Sequence, residues 1–316
     1  MPTAILGWIL IIAAAITPYA MCAPASVPPE APATLNERLA WQIALDREGF
    51  SPGVIDGKTG SKTHLATREF QAARGLPATG LLDQATIDAL KVDPETAIGE
   101  HLVEASDLRG ISPFTDDWNE RAARSEMGYY NILDGLAERF HASKGLMQSL
   151  NAGVDFDSLT PGKPLRVPAI VEPTIASAST LRVDLKRKLI FALDSGDKPL
   201  AMFHCSIAAS VEKRPSGKAS VVVVVRRPDY TFDPAAWPEV KNVTRRLVIP
   251  PGARNPVGLA WVGLNLPGYG IHGTPQPEMI GKSGSHGCFR MTNWDAVRLS
   301  RMIRTEAVVT FLADGR

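Results

Sequence analysis

Residues 269–274 read YGIHGT and residues 283–290 read SGSHGCFR, and these two stretches decide how the C-terminal part of the chain is interpreted. They contain two histidines, His272 and His286, one cysteine, Cys288, and glycines at 270, 273, 284 and 287. Glycine lets a backbone approach a ligand closely and adopt conformations that other residues avoid. A thiol attacks as its thiolate, so a nucleophilic cysteine needs a nearby base or positive charge, which either histidine can supply. The two stretches therefore predict a cysteine nucleophile served by an imidazole.

Three other interpretations of these residues stay open at the level of sequence. Cys288 could be a buried structural thiol, or it could form a disulfide with Cys205. His272, His286 and Cys288 could also bind a metal ion, although one H-x-C and a distant histidine match no zinc spacing. Cys205 itself lies in the apolar stretch AMFHCSI, which predicts a buried small hydrophobe.

Residues 180–316, which contain this constellation, have the pattern of a β-rich sandwich or barrel. Short apolar stretches alternate there with turns that contain Gly or Pro, which is typical of closely spaced strands. One helix is predicted at Trp294–Arg304, with Thr292 as its N-cap. The predicted strands are 181–185, 189–193, 202–207, 221–225, 247–249, 260–264 and 308–312.

Residues 35–92 predict a small all-α unit of three helices. Apolar positions over Leu35–Leu45 form one face of a first helix. Residues 50–57 have turn chemistry, since Pro-Gly and Asp-Gly lie close together there. A second helix begins near Ser61, and a short third helix covers 84–90.

Residues 127–170 predict a small α+β module, in which two short helices precede a Pro-Gly turn and a strand. A connecting segment, 93–126, precedes this module. A linker rich in Pro, Ala, Ser and Thr follows it at 171–179. A chain of 316 residues is long enough for two or three such units, so the prediction is a multidomain protein.

The N-terminal residues 1–25 predict a secretory signal peptide, followed by a Pro/Ala-rich linker at 26–34. Residues 4–20 are uncharged and apolar, and small residues follow them. An uncleaved anchor helix is an alternative, because the apolar run is nearly long enough to span a bilayer; a lipidated Cys22 is another. No later segment has the character of a membrane span. We therefore expect an exported protein of the periplasm or cell envelope, without a stable membrane span after processing.

The composition excludes some classes of protein. Hydrophobic residues make up 45% and charged residues 21%, an ordinary globular balance. The net charge of +1, without a basic run, gives no reason to expect nucleic acid as a partner. After removal of the signal, only Cys205 and Cys288 remain, too few for a disulfide framework. Cys288 is therefore predicted to be a free thiol.

The C-terminal pattern resembles the YkuD-type L,D-transpeptidase catalytic domain over Thr180–Leu312. The resemblance rests on His272 and on residues 285–290. Further matches lie at 183–185, 215–217, 249–252, 255–258 and 269–274. Phe289 departs from the family, which commonly has a smaller aliphatic residue there.

The other two blocks resemble wall-binding modules. The first is similar to a three-helix peptidoglycan-binding domain, in which turns between the helices form a shallow groove for wall fragments; a structural spacer is the alternative. The second is similar to a degenerate LysM module, a glycan-binding fold whose opening strand is poorly represented around residues 129–130. The positions behind the first resemblance are Gly49, Phe50, Pro52, Gly53, Ile55, Asp56, Gly57, Gly60, Thr63, Phe70, Gln71, Gly75, Leu76, Thr79, Gly80, Asp83 and Thr86.

The transpeptidase resemblance implies roles for individual catalytic residues. Cys288 would be the nucleophile and His272 the general base and later acid. Gly273 would offer its carbonyl to orient the imidazole, as a third member does in catalytic triads. His286 would support the thiolate, and the amides of Gly287 and Cys288 would stabilise the oxyanion.

The same resemblance implies four substrate-binding residues. Tyr269 and Thr274 would line the substrate groove, and Ser285 would support the nucleophile loop. Arg290 would either hold that loop or bind a stem carboxylate, because a guanidinium suits both through bidentate hydrogen bonds. No metal and no cofactor is implied.

The implied activity is transfer of an acyl group from peptidoglycan tetrapeptide stems to an amine, giving 3→3 cross-links or attachment of another acceptor. The implied partners are stem peptides and wall glycan, with carbapenem-type β-lactams as inhibitors. L,D-carboxypeptidase or exchange activity, in which water or a free D-amino acid replaces the acceptor, is the first alternative. A non-catalytic wall-binding protein and a metal-dependent amidase are the others.

Overall fold

The computed structural model describes residues 34–237, 239–285 and 287–313. The predicted signal peptide and nearly all of the predicted 26–34 linker lie outside the described residues. From Thr34 onward the chain forms one compact unit. Within the described part, no helix is both long and apolar enough to cross a membrane.

The first module has the three helices that the sequence predicts: α1 (Leu35–Arg47), α2 (Ser61–Ala73) and α3 (Gln84–Leu90). Thr34 begins α1 with a capping box, because its hydroxyl accepts from the Glu37 amide while the Glu37 carboxylate accepts from the Thr34 amide. Gly80 has a φ of +75°, and a Cβ there would lie 2.9 Å from the His64 carbonyl oxygen. The turn before α3 therefore requires glycine.

The turn at residues 50–57 is buried between modules. Ser51 donates its amide to the Met202 carbonyl at 2.9 Å, and Met202 donates to the Gly49 carbonyl at 3.0 Å, so this turn continues the sheet of the C-terminal domain. On the other side of the turn, the Ile55 amide donates to the His141 backbone carbonyl at 2.8 Å. Phe50 and Ile55 are 1% and 0% exposed. Most of this turn is therefore inaccessible to a wall fragment in this arrangement.

The second module is built from an antiparallel pair of strands, β1 (Ile98–Leu102) and β2 (Pro164–Pro168), and from helices α5 (Ile132–Arg139) and α6 (Lys144–Leu150). The helices and β2 lie where the sequence predicts them. The strand that opens the module, β1, lies outside the predicted module. It belongs to residues 93–126, which the sequence analysis interprets only as a connecting segment. Its residues Ile98-Gly99-Glu100-His101-Leu102 are mixed in polarity and only partly buried, so they lack the alternation that marks a strand. The same segment also forms α4 (Trp118–Ala123).

The C-terminal domain is a curled sheet of eight strands in the order β11-β10-β9-β6-β12-β3-β4-β5. A separate hairpin, β7 with β8, packs on α4, where the Trp118 and Phe232 rings stack 4.0 Å apart. The strands are β3 (Thr180–Asp184), β4 (Leu189–Leu193), β5 (Pro199–His204), β6 (Gly217–Arg226), β7 (Tyr230–Phe232), β8 (Leu247–Ile249), β9 (Ala260–Leu264), β10 (Gly270–His272), β11 (Phe289–Arg290) and β12 (Val308–Leu312).

The two edges of this sheet meet, which brings the cysteine loop against the chain that follows β5. Ser206 donates its amide to the Arg290 carbonyl at 2.8 Å, and Arg290 donates to the Ser206 carbonyl at 3.0 Å. Ala208 forms a further bridge to Ser285. Helix α7 (Asn293–Met302) closes the core from one side, with Thr292 as its N-cap, as predicted. The prediction of a β-rich sandwich or barrel is confirmed as a curled, edge-closed sheet.

A buried ion cluster joins the three parts of the chain. Asp46 at the end of α1 accepts from Arg298 of α7 at 3.1 Å and lies 3.0 Å from the His141 ring of the second module. Arg298 and Asp46 have side chains that are 3% and 1% exposed. Burial alone would raise the pKa of Asp46, but Arg298 and His141 outweigh it and hold that pKa well below its usual range.

Candidate active site

The predicted nucleophile and base come from two neighbouring parallel strands. In the β10–β11 pair, Ile271 lies opposite Phe289 and His272 lies opposite Arg290. Cys288 directly precedes β11, and the Arg290 charge acts on both the Cys288 thiol and the His272 imidazole. The pairing thus places Arg290 beside His272, and Cys288 lies next to Gly270, the first residue of β10.

His272 is held by its own turn. It is 6% exposed, its ring stacks on Trp261 at 5.5 Å, and its Nδ1 lies 2.6 Å from the Gly273 carbonyl oxygen. Since a carbonyl only accepts hydrogen bonds, Nδ1 must carry the proton. Nε2 is then the nitrogen with a free lone pair, which is the state a general base requires.

The Cys288 thiol is free and partly exposed. Its sulfur donates to the Gly268 carbonyl at 3.4 Å, and the Gly270 backbone lies within hydrogen-bonding reach of it. Cys205, the other free thiol, is fully buried, as predicted. The disulfide alternative is therefore excluded.

Burial shifts both reacting groups toward their neutral forms. Burial, with a smaller effect of the nearby Arg290 charge, outweighs the opposing effect of the Gly273 carbonyl and lowers the pKa of His272 to about 4. Burial also raises the pKa of the Cys288 thiol, which the Gly270 backbone and Arg290 offset only in part. Any attack by the sulfur would therefore have to be accompanied by loss of the thiol proton.

Arg290 extends along the nucleophile loop. Its guanidinium donates to the Ser283 hydroxyl at 3.1 Å and to the Gly284 carbonyl. Its Nε is buried and meets no hydrogen-bond partner among the described residues. Of the two roles the sequence left open, holding the loop is the one these contacts serve.

The remaining loop residues contact one another. The Ser285 hydroxyl donates to the Cys288 carbonyl at 2.5 Å and accepts from the Gly287 amide at 3.3 Å. The Gly287 amide can therefore donate to an oxyanion only after its hydrogen bond to the Ser285 hydroxyl breaks. Thr274 is buried, and its hydroxyl accepts from the Gln276 amide at 3.2 Å. His286 lies outside the described residues.

Tyr269 and its neighbours form a shallow groove beside the cysteine. The Tyr269 hydroxyl donates to the Lys213 carbonyl at 2.8 Å, and its ring would be 3.6 Å from a Cβ added at Gly287. The groove encloses about 370 Å³ and has Val223, Trp261 and Leu266 among its lining residues. Gly268, whose carbonyl accepts from the Cys288 thiol, is another of its lining residues.

Sequence reasoning missed Trp261 and Asn293. Trp261 alternates with the core residues Ala260 and Val262 of β9, so a large aromatic on the outer face was an available signal. Asn293 follows an N-cap threonine, a place where polar residues are common, and nothing in the sequence distinguishes it. In the described part of the chain no group of three or more His, Cys, Asp or Glu side chains could hold a metal ion.

Comparison with known proteins agrees with this geometry. The sequence profile of the L,D-transpeptidase catalytic domain matches residues 178–310, and that of the "Putative peptidoglycan binding domain" matches residues 34–90. "Putative L,D-transpeptidase YqjB" of Bacillus subtilis is 30% identical over 136 residues, which are 42% of this chain and 70% of that protein. "Putative L,D-transpeptidase YkuD" of Bacillus licheniformis is 25% identical over 171 residues, 54% of this chain and 87% of that protein. The chain belongs to the L,D-transpeptidase family.

Solved structures of L,D-transpeptidases also align with the chain, at low TM-scores. That from Xylanimonas cellulosilytica is 16% identical, covers 87% of this chain and 93% of its own, and gives a TM-score of 0.36. L,D-transpeptidase 3 from Mycobacterium tuberculosis is 14% identical. The alignment covers 49% of this chain and 77% of that one, with a TM-score of 0.35. The family assignment rests on the sequence matches.

Proposed function

We propose that the protein is a cysteine-dependent L,D-transpeptidase that forms an acyl-enzyme on Cys288 with a peptidoglycan tetrapeptide stem and passes the acyl group to an amine. One observation carries the proposal: the imidazole of His272, held as its Nδ1–H tautomer at 2.6 Å from the Gly273 carbonyl, lies on the strand that pairs with β11, which directly follows the free, partly exposed thiol of Cys288. This is the nucleophile, base and orienting group of covalent acyl transfer.

In the first half-reaction the Cys288 sulfur attacks the carbonyl after the third stem residue while Nε2 of His272 takes the thiol proton. The carbon–sulfur bond forms, and the amides near Gly287 and Cys288 receive the oxyanion. The bond to the terminal D-residue then breaks, and the imidazolium gives its proton to the departing amine. A thioester remains.

In the second half-reaction an acceptor amine attacks the thioester and loses a proton to the same Nε2. The new amide bond forms, the sulfur leaves, and the proton returns to it. If water attacks instead, the enzyme is an L,D-carboxypeptidase, and if a free D-amino acid attacks, it is an exchange enzyme. Each acceptor uses the same residues.

The groove beside Cys288 supports an extended substrate. Trp261 and Tyr269 line it together with Gly268, whose carbonyl accepts from the Cys288 thiol, so a stem peptide lying there would pass close to the sulfur. In the proposed function, Ser285 and His286 support the loop and Arg290 keeps its backbone in place. Carbapenem-type β-lactams, which also present a reactive carbonyl, would acylate the same sulfur.

The peptidoglycan-binding module supports a site of action in the cell envelope, after export directed by residues 1–25. The 50–57 turn is buried, so any wall contact of this module would come from its other surfaces. The β1–α5–α6–β2 arrangement supports the proposed likeness of the second module to LysM, and glycan binding by it is a separate proposal.

The test is incubation of the purified protein with disaccharide tetrapeptide, followed by mass spectrometry of the products. The proposal expects a cross-linked dimer, with loss of one terminal D-residue per bond formed. Tripeptide without dimer would establish the carboxypeptidase instead. If the substrate stays intact with the wild-type protein, as with the Cys288→Ala control, the remaining interpretation is a non-catalytic wall-binding protein.

A further inference from the structure

A second buried ion cluster, made of Arg254, Asp134 and Glu138, lies between α5 of the second module and the loop after β8. Arg254 donates through Nε to Asp134 and through Nη1 to Glu138, each at 2.7 Å. The three side chains are 1%, 6% and 5% exposed. Such groups are costly to bury, and the catalytic residues described above include none of them.

Asn293 connects this cluster to the catalytic domain. Its Nδ2 donates to the two carboxylate oxygens of Glu138 at 3.0 and 3.1 Å and to the Ala253 carbonyl at 3.0 Å. Its Oδ1 accepts from the amides of Leu259 and Thr274, both at 3.1 Å. Asn293 is 0% exposed, and every donor and acceptor of its side-chain amide is used.

The bond to Thr274 acts on the catalytic histidine. The Thr274 amide and the Gly273 carbonyl belong to one peptide unit, which is planar and moves as a whole. One end of this unit donates to Asn293, and the other accepts from Nδ1 of His272 at 2.6 Å. Rotating the peptide to release Asn293 would therefore also turn the carbonyl away from the imidazole.

Two glycines leave the space that Asn293 occupies. A Cβ at Gly273 would lie 2.1 Å from Asn293 Oδ1, and a Cβ at Gly258 would lie 2.0 Å from the same atom. Neither position can carry a side chain while Asn293 is in place. The close approach of Asn293 to the catalytic turn is thus built into three separate segments of the chain.

Glu138 reinforces the orientation of the Asn293 amide, which the Leu259 and Thr274 amides and the Ala253 carbonyl also favour. A flipped amide would direct Oδ1 at the Glu138 carboxylate and the Ala253 carbonyl, where like partial charges repel. It would also place a donor against two amides. The Glu138 carboxylate therefore adds to the preference for the observed orientation, and Arg254 pairs with it although burial raises the pKa of Glu138.

We propose that Glu138 is a positioning residue for His272. Acting through Asn293 and the 273–274 peptide, it holds the imidazole as the Nδ1–H tautomer with Nε2 ready to accept the thiol proton. The inference rests on the proposed role of His272 as general base. It makes α5 part of the catalytic structure, in addition to any wall binding by its module.

The test compares Glu138→Gln with Asp134→Asn in the full chain. Both changes are isosteric, both remove one carboxylate from Arg254, and both residues lie on α5; only Glu138 contacts Asn293. Two quantities are measured at a temperature where both variants are folded. One is the second-order rate of Cys288 acylation by a carbapenem; the other is the His272 tautomer, from ¹⁵N shifts of histidine-labelled protein.

Glu138→Gln is expected to lower the acylation rate by about tenfold or more, in keeping with the cost of a misplaced catalytic group. It should also give His272 ¹⁵N shifts of a mixed tautomer. Asp134→Asn should retain the wild-type tautomer and a rate within about threefold. Equal losses in both variants, or wild-type behaviour in Glu138→Gln, overturn the inference. His272→Ala is measured alongside: if its rate equals that of the wild type, the proposed function fails first.

Discussion

At the scale of single residues, the neutral state of the thiol and imidazole has a measurable consequence. His272 accepts a proton only when neutral, and its pKa is lowered to about 4. We therefore expect the acid limb of the pH profile of Cys288 acylation to fall toward pH 4. An unperturbed imidazole would place it near 6.5. The measurement is the second-order rate of carbapenem acylation between pH 3.5 and 8, where a limb centred near the unperturbed value would contradict the neutral-pair account.

The two histidines should differ in importance. His272→Ala removes the base and should abolish acylation by a carbapenem, whereas His286→Ala should only weaken it. Both rates are read from intact mass against time, with Cys288→Ala as the blank. Equal residual rates for the two variants would refute the assignment of His272 as base.

Gly273 should not tolerate a side chain. A Cβ there would lie 2.1 Å from Asn293 Oδ1, so Gly273→Ala must displace either Asn293 or the carbonyl that holds His272. We expect acylation to fall by about two orders of magnitude, the effect of misplacing a catalytic group by about an ångström. Gly145→Ala on α6 is the matched control, because its Cβ would meet nothing within 4 Å. Equal acylation rates in the two alanine variants would show that the turn has room to adjust.

At the scale of elements, the sequence locates the strands and helices whose residues carry a clear apolar pattern, including the three-residue strand Leu247–Ile249. The strands Leu189–Leu193 and Val308–Leu312 and the helix Gln84–Leu90 lie where the apolar pattern puts them. Strands β10 and β11 have three and two residues, too few to show any period. They form because partner strands pair with them, which is a tertiary effect.

The candidate site could likewise be predicted only in part from the sequence. The residue types and glycines around His272 and Cys288 predict the nucleophile and its base, because that chemistry is local to two short stretches. Glu138 contacts Asn293 and Arg254, which are 155 and 116 positions away from it in the sequence. No local sequence pattern encodes contacts over such separations. The raised pKa of the thiol likewise comes from burial, which only the folded chain determines.

The junction between α1 and α7 should be important for stability. Asp46→Asn leaves Arg298 without its closest charged partner, and breaking a buried pair in this way costs about 3–5 kcal/mol. Because the pKa of Asp46 is held low in the folded state, its contribution is present above the unfolded pKa of about 4 and is lost as the pH falls. Urea unfolding of both proteins at pH 7 and pH 3 should therefore give a difference that shrinks at the lower pH. A difference that is constant or grows would mean that the pair does not stabilise as an ion pair.

At the scale of the whole molecule, the three modules should unfold together. They share the Asp46, Arg298 and His141 cluster, the Glu138–Arg254 pair and the buried turn at 50–57. We expect a single calorimetric transition whose calorimetric and van't Hoff enthalpies agree. A separate early transition of the N-terminal helices would contradict this prediction and favour a loosely tethered wall-binding module.

The central claim is that Cys288 carries the acyl group and that His272 makes it reactive. The most direct measurement is rapid-quench intact mass of the protein mixed with disaccharide tetrapeptide. The account predicts a transient mass increase equal to the disaccharide tripeptide acyl group. That increase should map to Cys288, be absent in Cys288→Ala and be strongly delayed in His272→Ala. Substrate turnover with no adduct on Cys288, or an adduct that forms equally fast without His272, would contradict it.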